Sequence, residues 1–284
     1  MTTSPLANPT ATRELLEEFG LATKHRLGQN FLIDNHVIER ICELAELAGD
    51  ERVLEVGPGV GTLTLALLQE AACVTSIEAD PELEPVLDAH AADYANFRFI
   101  MGDALKVGPE QIEQAAGGEP TVFVANLPYN VAATIILQFF QTMPALKRAV
   151  VMVQKEVADK LLAAPSTPAY SLTSVRCQYR TIPQLVQVVP AECFTPPPKV
   201  DSAFVRMDMR AQPPAPVADE ALLWRMVKAG FGMRRKTLIN ALKGVVESEA
   251  VRAALSALGL PETVRGEALA VETWIALANA CARE

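Results

Sequence analysis

The sequence has 284 residues, of which half are hydrophobic and 21% are charged, and this balance excludes a disordered chain. The 25 Lys and Arg residues against 34 Asp and Glu give a net charge of −9, which argues against a general nucleic-acid coat protein. Residues 210–284 nevertheless contain 10 Lys or Arg and 8 Asp or Glu, whereas the preceding residues contain 15 and 26. The acidic average is therefore compatible with a local nucleic-acid surface.

The five cysteines are widely spaced and include no C-x-x-C pair, which fits neither a disulfide framework nor a zinc site. The first twenty residues lack the apolar segment of a signal peptide. No apolar run approaches the roughly 18 residues of a membrane span. We therefore expect a cytoplasmic protein with reduced thiols, no metal and no membrane partner.

The elements before residue 50 are few. Residues 1–20, rich in Pro, Ser and Thr near their start, are predicted to be a flexible tail with a short helix over 11–19. Asp34 is a suitable N-cap for a second helix, in which Val37, Ile38 and Ile41 begin an apolar face.

From residue 52 onward, short apolar runs alternate with helical segments, a pattern typical of a parallel sheet covered on both faces. The predicted strands are 52–56, 73–78, 97–100, 121–125 and 148–153. The predicted helices between and after them are 61–71, 81–93, 109–116 and 131–142.

Two further strands, 184–189 and 202–209, are predicted to form an antiparallel pair at one edge of the sheet, where the prolines between them are tolerated. A linker over 212–218 then leads into a helical region. Its predicted helices are 219–230, 234–246, 248–258 and 268–281. We therefore predict an α/β domain over 21–211 and a small all-helical domain over 212–284.

A glycine-rich turn follows the first strand of the sheet, with glycines at 57, 59 and 61. Thr62 stands where a dinucleotide fingerprint requires its third glycine, and no Gly-Lys-Ser/Thr follows as in a P-loop. The turn suits a ligand at the carboxyl end of the strand, although a turn with no ligand is the alternative.

Acidic residues follow the next two strands. Glu78 can accept hydrogen bonds from both hydroxyls of a ribose, and Asp103 can accept one from the amino group of an adenine. Each alone is a common surface acid or helix cap. With the glycine turn, they predict an adenosine ligand without a pyrophosphate, such as S-adenosylmethionine.

The fourth strand ends in Asn126-Leu127-Pro128-Tyr129-Asn130. Pro128 stiffens this turn, so that the Leu127 and Pro128 carbonyls can lie beside the Asn126 side chain and accept hydrogen bonds from an exocyclic amine. Adenine N6 is a poor nucleophile, and such bonds would orient its lone pair and stabilise developing positive charge. Tyr129 can stack on the base. The alternative is a turn with only a structural role.

With these residues, the sequence resembles the ribosomal RNA adenine N6,N6-dimethyltransferase family of the small subunit. The motifs that carry the resemblance are Lys24–Leu32, Glu55–Thr64, Ile77–Asp80, Gly102–Ala104, Asn126–Asn130, Gln154–Ala158, Phe194–Ser202 and Phe231–Leu238. The resemblance implies a Rossmann-like class I methyltransferase sheet with a helical C-terminal domain. It also implies dimethylation of two adjacent adenosines near the 3′ end of 16S rRNA in an immature small ribosomal subunit, and we expect the enzyme to be a monomer.

The resemblance also assigns residues. The cofactor-binding residues it implies are Asn30, Leu32, Gly57, Gly59, Gly61, Glu78, Asp103 and Asn126. Tyr129 and Phe194 would sandwich the target base, with Asn126, Leu127 and Pro128 completing the catalytic set. No metal or covalent nucleophile is expected, because the sulfonium of the cofactor already activates the methyl group.

The basic run Arg234-Arg235-Lys236 is predicted to open a helix and to contact RNA, since the family has RNA contacts in this region; a solvated surface is the alternative. Lys24, His25 and Arg26 form a second small basic cluster. Two other functions stay open: methylation of a large-subunit adenine, which confers macrolide resistance, and a non-catalytic role in RNA binding or ribosome assembly.

Overall fold

The computed structural model describes residues 2–21 and 30–282, which divide into two compact units. The first unit, here the sheet unit, comprises Met1–Ala158 and Pro183–Met209. The second, the helical unit, comprises Asp159–Ile182 and Arg210–Glu284. The predicted boundary near residue 211 therefore misassigned residues 159–182.

The physical reason for this division is burial. The segment 159–182 contains the helix α8 (Leu172–Arg180), and Tyr170, Val175 and Tyr179 are buried in one core cluster with Trp274. Burial of these large apolar surfaces among helices stabilises the association of the segment with the helical unit. The chain passes from the sheet unit to the helical unit within α7 (Lys155–Leu162) and returns to the sheet unit at the start of β7 (Thr181–Val189).

The sheet unit contains the alternating strands and helices that the sequence predicts. The strands are β1 (Phe31–Leu32), β2 (Arg52–Val56), β3 (Cys73–Glu78), β4 (Phe97–Met101), β5 (Val122–Asn126), β6 (Arg148–Gln154), β8 (Phe194–Thr195) and β9 (Ser202–Met209), with β7 above. The helices are α1 (Pro9–Glu18), α2 (Asn35–Ala45), α3 (Thr62–Leu67), α4 (Glu84–Asp93), α5 (Pro109–Ala116) and α6 (Ala132–Thr142).

The main sheet has seven strands in the order β4-β3-β2-β5-β6-β9-β7. The pairings from β4 through to β6 are all parallel, and β9 is antiparallel to β6. The two predicted C-terminal strands, 184–189 and 202–209, do form one end of the sheet, as β7 and β9. Strand order reverses between β2 and β5, and the crevice at such a reversal is where open α/β sheets bind ligands.

The first twenty residues are not a flexible tail where the structure describes them. Asn8 caps α1 by accepting a hydrogen bond from the Ala11 N–H, and Leu6 and Thr12 are buried. Ser4 N–H also donates to the Asn35 side chain at 2.8 Å. The composition of this segment suggested disorder, but its few apolar side chains pack against the core of the sheet unit.

The helical unit is completed by four helices: α9 (Glu220–Gly232), α10 (Leu238–Ala241), α11 (Ser248–Ala257) and α12 (Val271–Cys281). The predicted helix over 234–246 is wrong except for α10. Lys236 N–H donates to the Met233 carbonyl, which makes Arg234–Lys236 a turn between α9 and α10. Gly244, with φ of 85°, prevents a longer helix at the other end.

Candidate active site

A cavity of about 300 Å³ lies at the carboxyl edge of the strands β2 to β5. This volume is at the lower end of the range for small-molecule sites, roughly 300–1,000 Å³. The predicted site residues that line it are Asn30, Leu32, Gly57, Gly59, Glu78, Asp103, Asn126, Leu127, Pro128 and Tyr129. Gly61 and Phe194 are the predicted residues of this cleft that do not line it.

The glycine turn lets the backbone reach the cavity. Gly59 has φ of 59°, and a Cβ built on it would lie 3.0 Å from the Phe31 ring. Gly61 has φ of 91°, and its Cβ would lie 2.8 Å from Nε2 of His90, which is hydrogen-bonded to the Val60 carbonyl. Gly61 is thus required for packing of the turn against α4, a role that the spacing of glycines alone did not distinguish from ligand contact.

Glu78 is held rigidly at the end of β3. Oε1 accepts hydrogen bonds from the N–H groups of Ala79 and Asp80, both at 2.8 Å, and Oε2 accepts one from the Gly59 N–H at 3.3 Å. Burial raises the pKa of this carboxyl, against the effect of those hydrogen bonds. The carboxylate therefore has a fixed position beside the glycine turn, with further lone pairs for hydroxyl donors.

Glu55 is a functional candidate to which sequence reasoning gave no role. It lies on β2, only 1% exposed, and its Oε2 accepts hydrogen bonds from the hydroxyls of Ser76 at 2.6 Å and Thr64 at 2.7 Å. Burial raises the pKa of Glu55 to about 7. An acid within an otherwise apolar strand was the available signal. The carboxyl links β2, β3 and α3 directly beneath the glycine turn.

Asp103 follows β4 and is exposed at the rim of the cavity. Its Oδ1 accepts a hydrogen bond from the Leu105 N–H at 3.0 Å, and Oδ2 lies 3.5 Å from Nζ of Lys106. Asp103 is therefore not a helix cap, because a turn follows it and α5 begins only at Pro109; the residue lines the cavity.

Asn126 is oriented by a residue 96 positions away. Its Nδ2 donates to the Asn30 carbonyl at 3.2 Å. A carbonyl can only accept, so this contact fixes which side of the amide carries the donors and leaves Oδ1 as an acceptor. In the following turn the Pro128 carbonyl accepts from the Val131 N–H, and Leu127 and Pro128 both line the cavity.

The two predicted aromatic residues differ in position. Tyr129 lines the cavity, and its hydroxyl lies 2.5 Å from the Ser202 hydroxyl. Burial raises the pKa of Tyr129. Phe194 is only 2% exposed and belongs to the core of the sheet unit, and its strand pairs Phe194 with Leu32. The structure thus brings Tyr129 to the cavity but not Phe194.

The predicted RNA-contacting run lies in the helical unit. Arg234, Arg235 and Lys236 are exposed, and Nε of Arg234 is 2.9 Å from a carboxylate oxygen of Glu267. The predicted basic cluster at 24–26 lies outside the described residues.

Within residues 2–21 and 30–282, no group of three or more His, Cys, Asp or Glu side chains is arranged to hold a metal ion. No helix in the same part of the chain is both long and apolar enough to cross a membrane.

The cavity residues fit S-adenosylmethionine. The backbone of the glycine turn lines the cavity at Gly57 and Gly59, and the fixed Glu78 carboxylate suits a ribose. The exposed Asp103 oxygens suit an adenine amino group. The doubly wound sheet and this succession of strand ends define a Rossmann-like class I methyltransferase.

Comparison with known proteins gives the family. A family profile described as ribosomal RNA adenine dimethylase matches residues 20–283, and the chain belongs to that family. The ribosomal RNA small subunit methyltransferase A of Geobacillus sp. (strain WCH70) is 40% identical over 282 residues, which cover 97% of each chain. The protein of the same name from Clostridium acetobutylicum is 42% identical over 263 residues, covering 92% of this chain and 94% of the other.

Two solved structures are also similar. The 23S rRNA methyltransferase ErmE matches with a TM-score of 0.68 and 31% identity, covering 89% of this chain and all of that one. A dimethyladenosine transferase from Plasmodium falciparum matches with a TM-score of 0.74 and 24% identity, covering 87% of this chain and 95% of the other. The second likeness shows the fold.

Proposed function

We propose that this protein transfers methyl groups from S-adenosylmethionine to N6 of two adjacent adenosines near the 3′ end of 16S rRNA, two on each, within an immature small ribosomal subunit. The observation that carries the proposal is the Asn126 amide, oriented by the Asn30 carbonyl, at the same cavity as Glu78 and the glycine turn. Relatives at about 40% identity named as small subunit methyltransferases support the choice of RNA.

The cofactor would be held by the backbone around Gly57 and Gly59, by Glu78 at the ribose and by Asp103 at the adenine, with Asn30 and Leu32 also lining the cavity. When bound, S-adenosylmethionine supplies a methyl group already activated on a sulfonium sulfur. The protein therefore has only to bind, orient and desolvate the two reactants.

Asn126 and the Leu127 carbonyl would act on the target amine. Two acceptors on the N6 protons weaken delocalisation of the nitrogen lone pair into the ring and direct it toward the methyl group. The same oxygens stabilise the positive charge that develops on N6 during transfer. Because Asn30 fixes the Asn126 amide beforehand, little reorganisation is needed at that moment.

The base would stack on Tyr129, an interaction worth about 1–3 kcal/mol per base. We keep Phe194 as the second face of the proposed sandwich. Its 2% exposure requires that the chain around β8 move before Phe194 can meet a base. The exposed run Arg234–Lys236 would contact RNA phosphates, which give affinity and orientation without reading sequence.

We further propose that the protein works as a monomer in the cytoplasm, where its five free thiols stay reduced. The likeness to a 23S rRNA methyltransferase favours one alternative substrate, a large-subunit adenine.

Primer extension separates the two substrates, because dimethylated adenosine blocks the polymerase. Unmethylated small and large subunits are each incubated with the protein and S-adenosylmethionine, with a Tyr129→Ala variant as the inactive control. We expect stops near the 3′ end of 16S rRNA only. Stops in 23S rRNA alone would overturn the proposal in favour of the alternative.

A further inference from the structure

Ser202 is the first residue of β9 and is fully buried, with its hydroxyl 2.5 Å from that of Tyr129. Tyr129 belongs to the turn after β5, and the two residues are 73 positions apart in the chain. The hydrogen bond therefore joins the base side of the cavity to a strand whose own residues do not line it.

The backbone around Ser202 is held in place by the end of β6 and the residue that follows it. Ser202 is paired with Gln154 in the β6–β9 ladder, and the carbonyl of the preceding Asp201 accepts the Lys155 N–H at 3.0 Å. A serine side chain has a single torsion that moves its oxygen. The hydroxyl is thus a fixed point to which the tip of the Tyr129 ring is attached.

An apolar pair at these positions would fill nearly the same space. Phe in place of Tyr129 and Ala in place of Ser202 would remove both hydroxyls of this part-buried hydrogen bond, and replacing both partners together is often close to neutral for stability. What such a pair would lack is the directional bond at the ring tip. The hydrogen bond therefore contributes more to the orientation of the Tyr129 ring than to the stability of the fold.

We propose that Ser202 is a positioning residue for methyl transfer, which holds the Tyr129 ring in the plane on which the target base stacks. The inference rests on the proposed function. Ser202 itself touches neither the base nor the cofactor. It acts only through Tyr129, and the Tyr129 hydroxyl in turn matters only through Ser202.

A double-mutant cycle tests this coupling. Single-turnover methyl transfer to small-subunit particles, at saturating cofactor, is measured for the wild type, Ser202→Ala, Tyr129→Phe and the double variant. We expect each single variant to be about tenfold slower, as for loss of one positioned hydrogen bond, and the double variant to be no slower than either. Cofactor affinity should stay within about twofold of the wild type.

Two further variants separate positioning from folding. Ser202→Thr keeps a hydroxyl at the same place and should retain most of the rate. Ser174→Ala removes an equally buried hydroxyl, bonded to the Lys160 carbonyl in the helical unit, and should lower the melting temperature without changing the rate.

The outcomes distinguish this inference from the function on which it rests. A wild-type protein that methylates the particles, with Ser202→Ala equally fast or with additive losses in the double variant, would overturn the positioning role alone. A Ser202→Ala variant that loses cofactor affinity and rate together would assign Ser202 a structural role. A wild-type protein that transfers nothing to small-subunit RNA overturns the proposed function, and the inference with it.

Discussion

The two halves of the cavity, called here the cofactor half and the base half after the roles proposed for them, are built in different ways. In the cofactor half, Glu78 is held by N–H groups of its own loop and of the neighbouring glycine turn, all within 19 positions in the chain. In the base half, Asn126 is oriented by Asn30 and Tyr129 is bonded to Ser202, partners that lie 96 and 73 positions away. The contacts that hold Glu78 are therefore comparatively local, whereas those that orient Asn126 and Tyr129 form only once distant segments have come together.

This difference separates binding from chemistry. The strand ends that carry Gly57, Gly59 and Glu78 are in place as soon as the sheet forms. A base site that depends on long-range contacts can be perturbed without loss of the cofactor site. Substitutions in the two halves should therefore alter different measured quantities.

The largest effect is expected in the base half. Asn126→Ala removes one preorganised acceptor at the developing charge on N6, and we expect methyl transfer to slow by about a hundredfold or more. The measurement is the single-turnover rate at saturating cofactor, with the melting temperature as a check on the fold. A rate close to that of the wild type would make the Asn126–Tyr129 turn a structural feature only.

In the cofactor half, Glu55 should make stability depend on pH. Because its pKa is raised in the folded state from 4.5 to about 7, the folded protein binds the proton more tightly, and the stability this gives is lost as pH rises through that window. Glu55→Gln removes the titration. Between pH 5 and 8, the free energy of unfolding of the variant should therefore rise relative to that of the wild type, by up to about 3 kcal/mol.

Denaturant unfolding across that pH range measures the difference. Glu46→Gln is a suitable control, since the Arg206 side chain lowers the pKa of Glu46 and its contribution to stability is lost only as pH falls below the ordinary range of a glutamate; its difference from the wild type should therefore stay constant between pH 5 and 8. If the free energies of unfolding of Glu55→Gln and the wild type differ by the same amount across the range, Glu55 does not titrate there.

Glu78→Ala should weaken cofactor binding by roughly 1–3 kcal/mol, because a pair of charge-assisted hydrogen bonds to the ribose is lost. Calorimetry with S-adenosylmethionine measures it directly. Tyr129→Phe serves as the matched control from the base half and should bind the cofactor normally. Unchanged affinity in Glu78→Ala would remove the ribose assignment.

The smallest effect is expected outside the cavity. Replacing Arg234, Arg235 and Lys236 by Gln should weaken particle binding and flatten the log–log salt dependence by about 0.7–0.9 for each phosphate that the variant no longer neutralises. Arg234 already pairs with Glu267, so the change should correspond to fewer than three phosphates.

A second triple variant controls for net charge. Replacing the exposed Arg13, Arg40 and Arg98 by Gln makes the same change in net charge at a distance from the basic run in the sequence. If the plots of log binding constant against log salt concentration superimpose for the two triple variants, the run Arg234–Lys236 is only solvated surface.

The same contrast explains what the sequence could predict. The β strands follow from short apolar runs, and all five central strands lie within a residue of their predicted bounds. Glu78 and Asp103 were predicted at the carboxyl edge because Glu78 ends one such run and Asp103 follows another within three residues. Local pattern was sufficient for these positions.

Tertiary contacts decided the rest. The hydrogen bonds between Asn126 and Asn30 and between Tyr129 and Ser202 leave no pattern in the neighbouring sequence. The same is true of the burial of Phe194 in the core. The turn at Arg234–Lys236 arises because α9 continues to Gly232, which the spacing of apolar residues did not indicate.

The most direct test of the proposed function is nucleoside analysis of 16S rRNA by mass spectrometry, after unmethylated small-subunit particles have been incubated with the protein and S-adenosylmethionine. We predict N6,N6-dimethyladenosine at two adjacent positions near the 3′ end, and its loss in the Asn126→Ala variant under single-turnover conditions. Unmodified adenosines at those positions with the wild-type protein, in particles that a known enzyme of this family does methylate, would contradict the proposal.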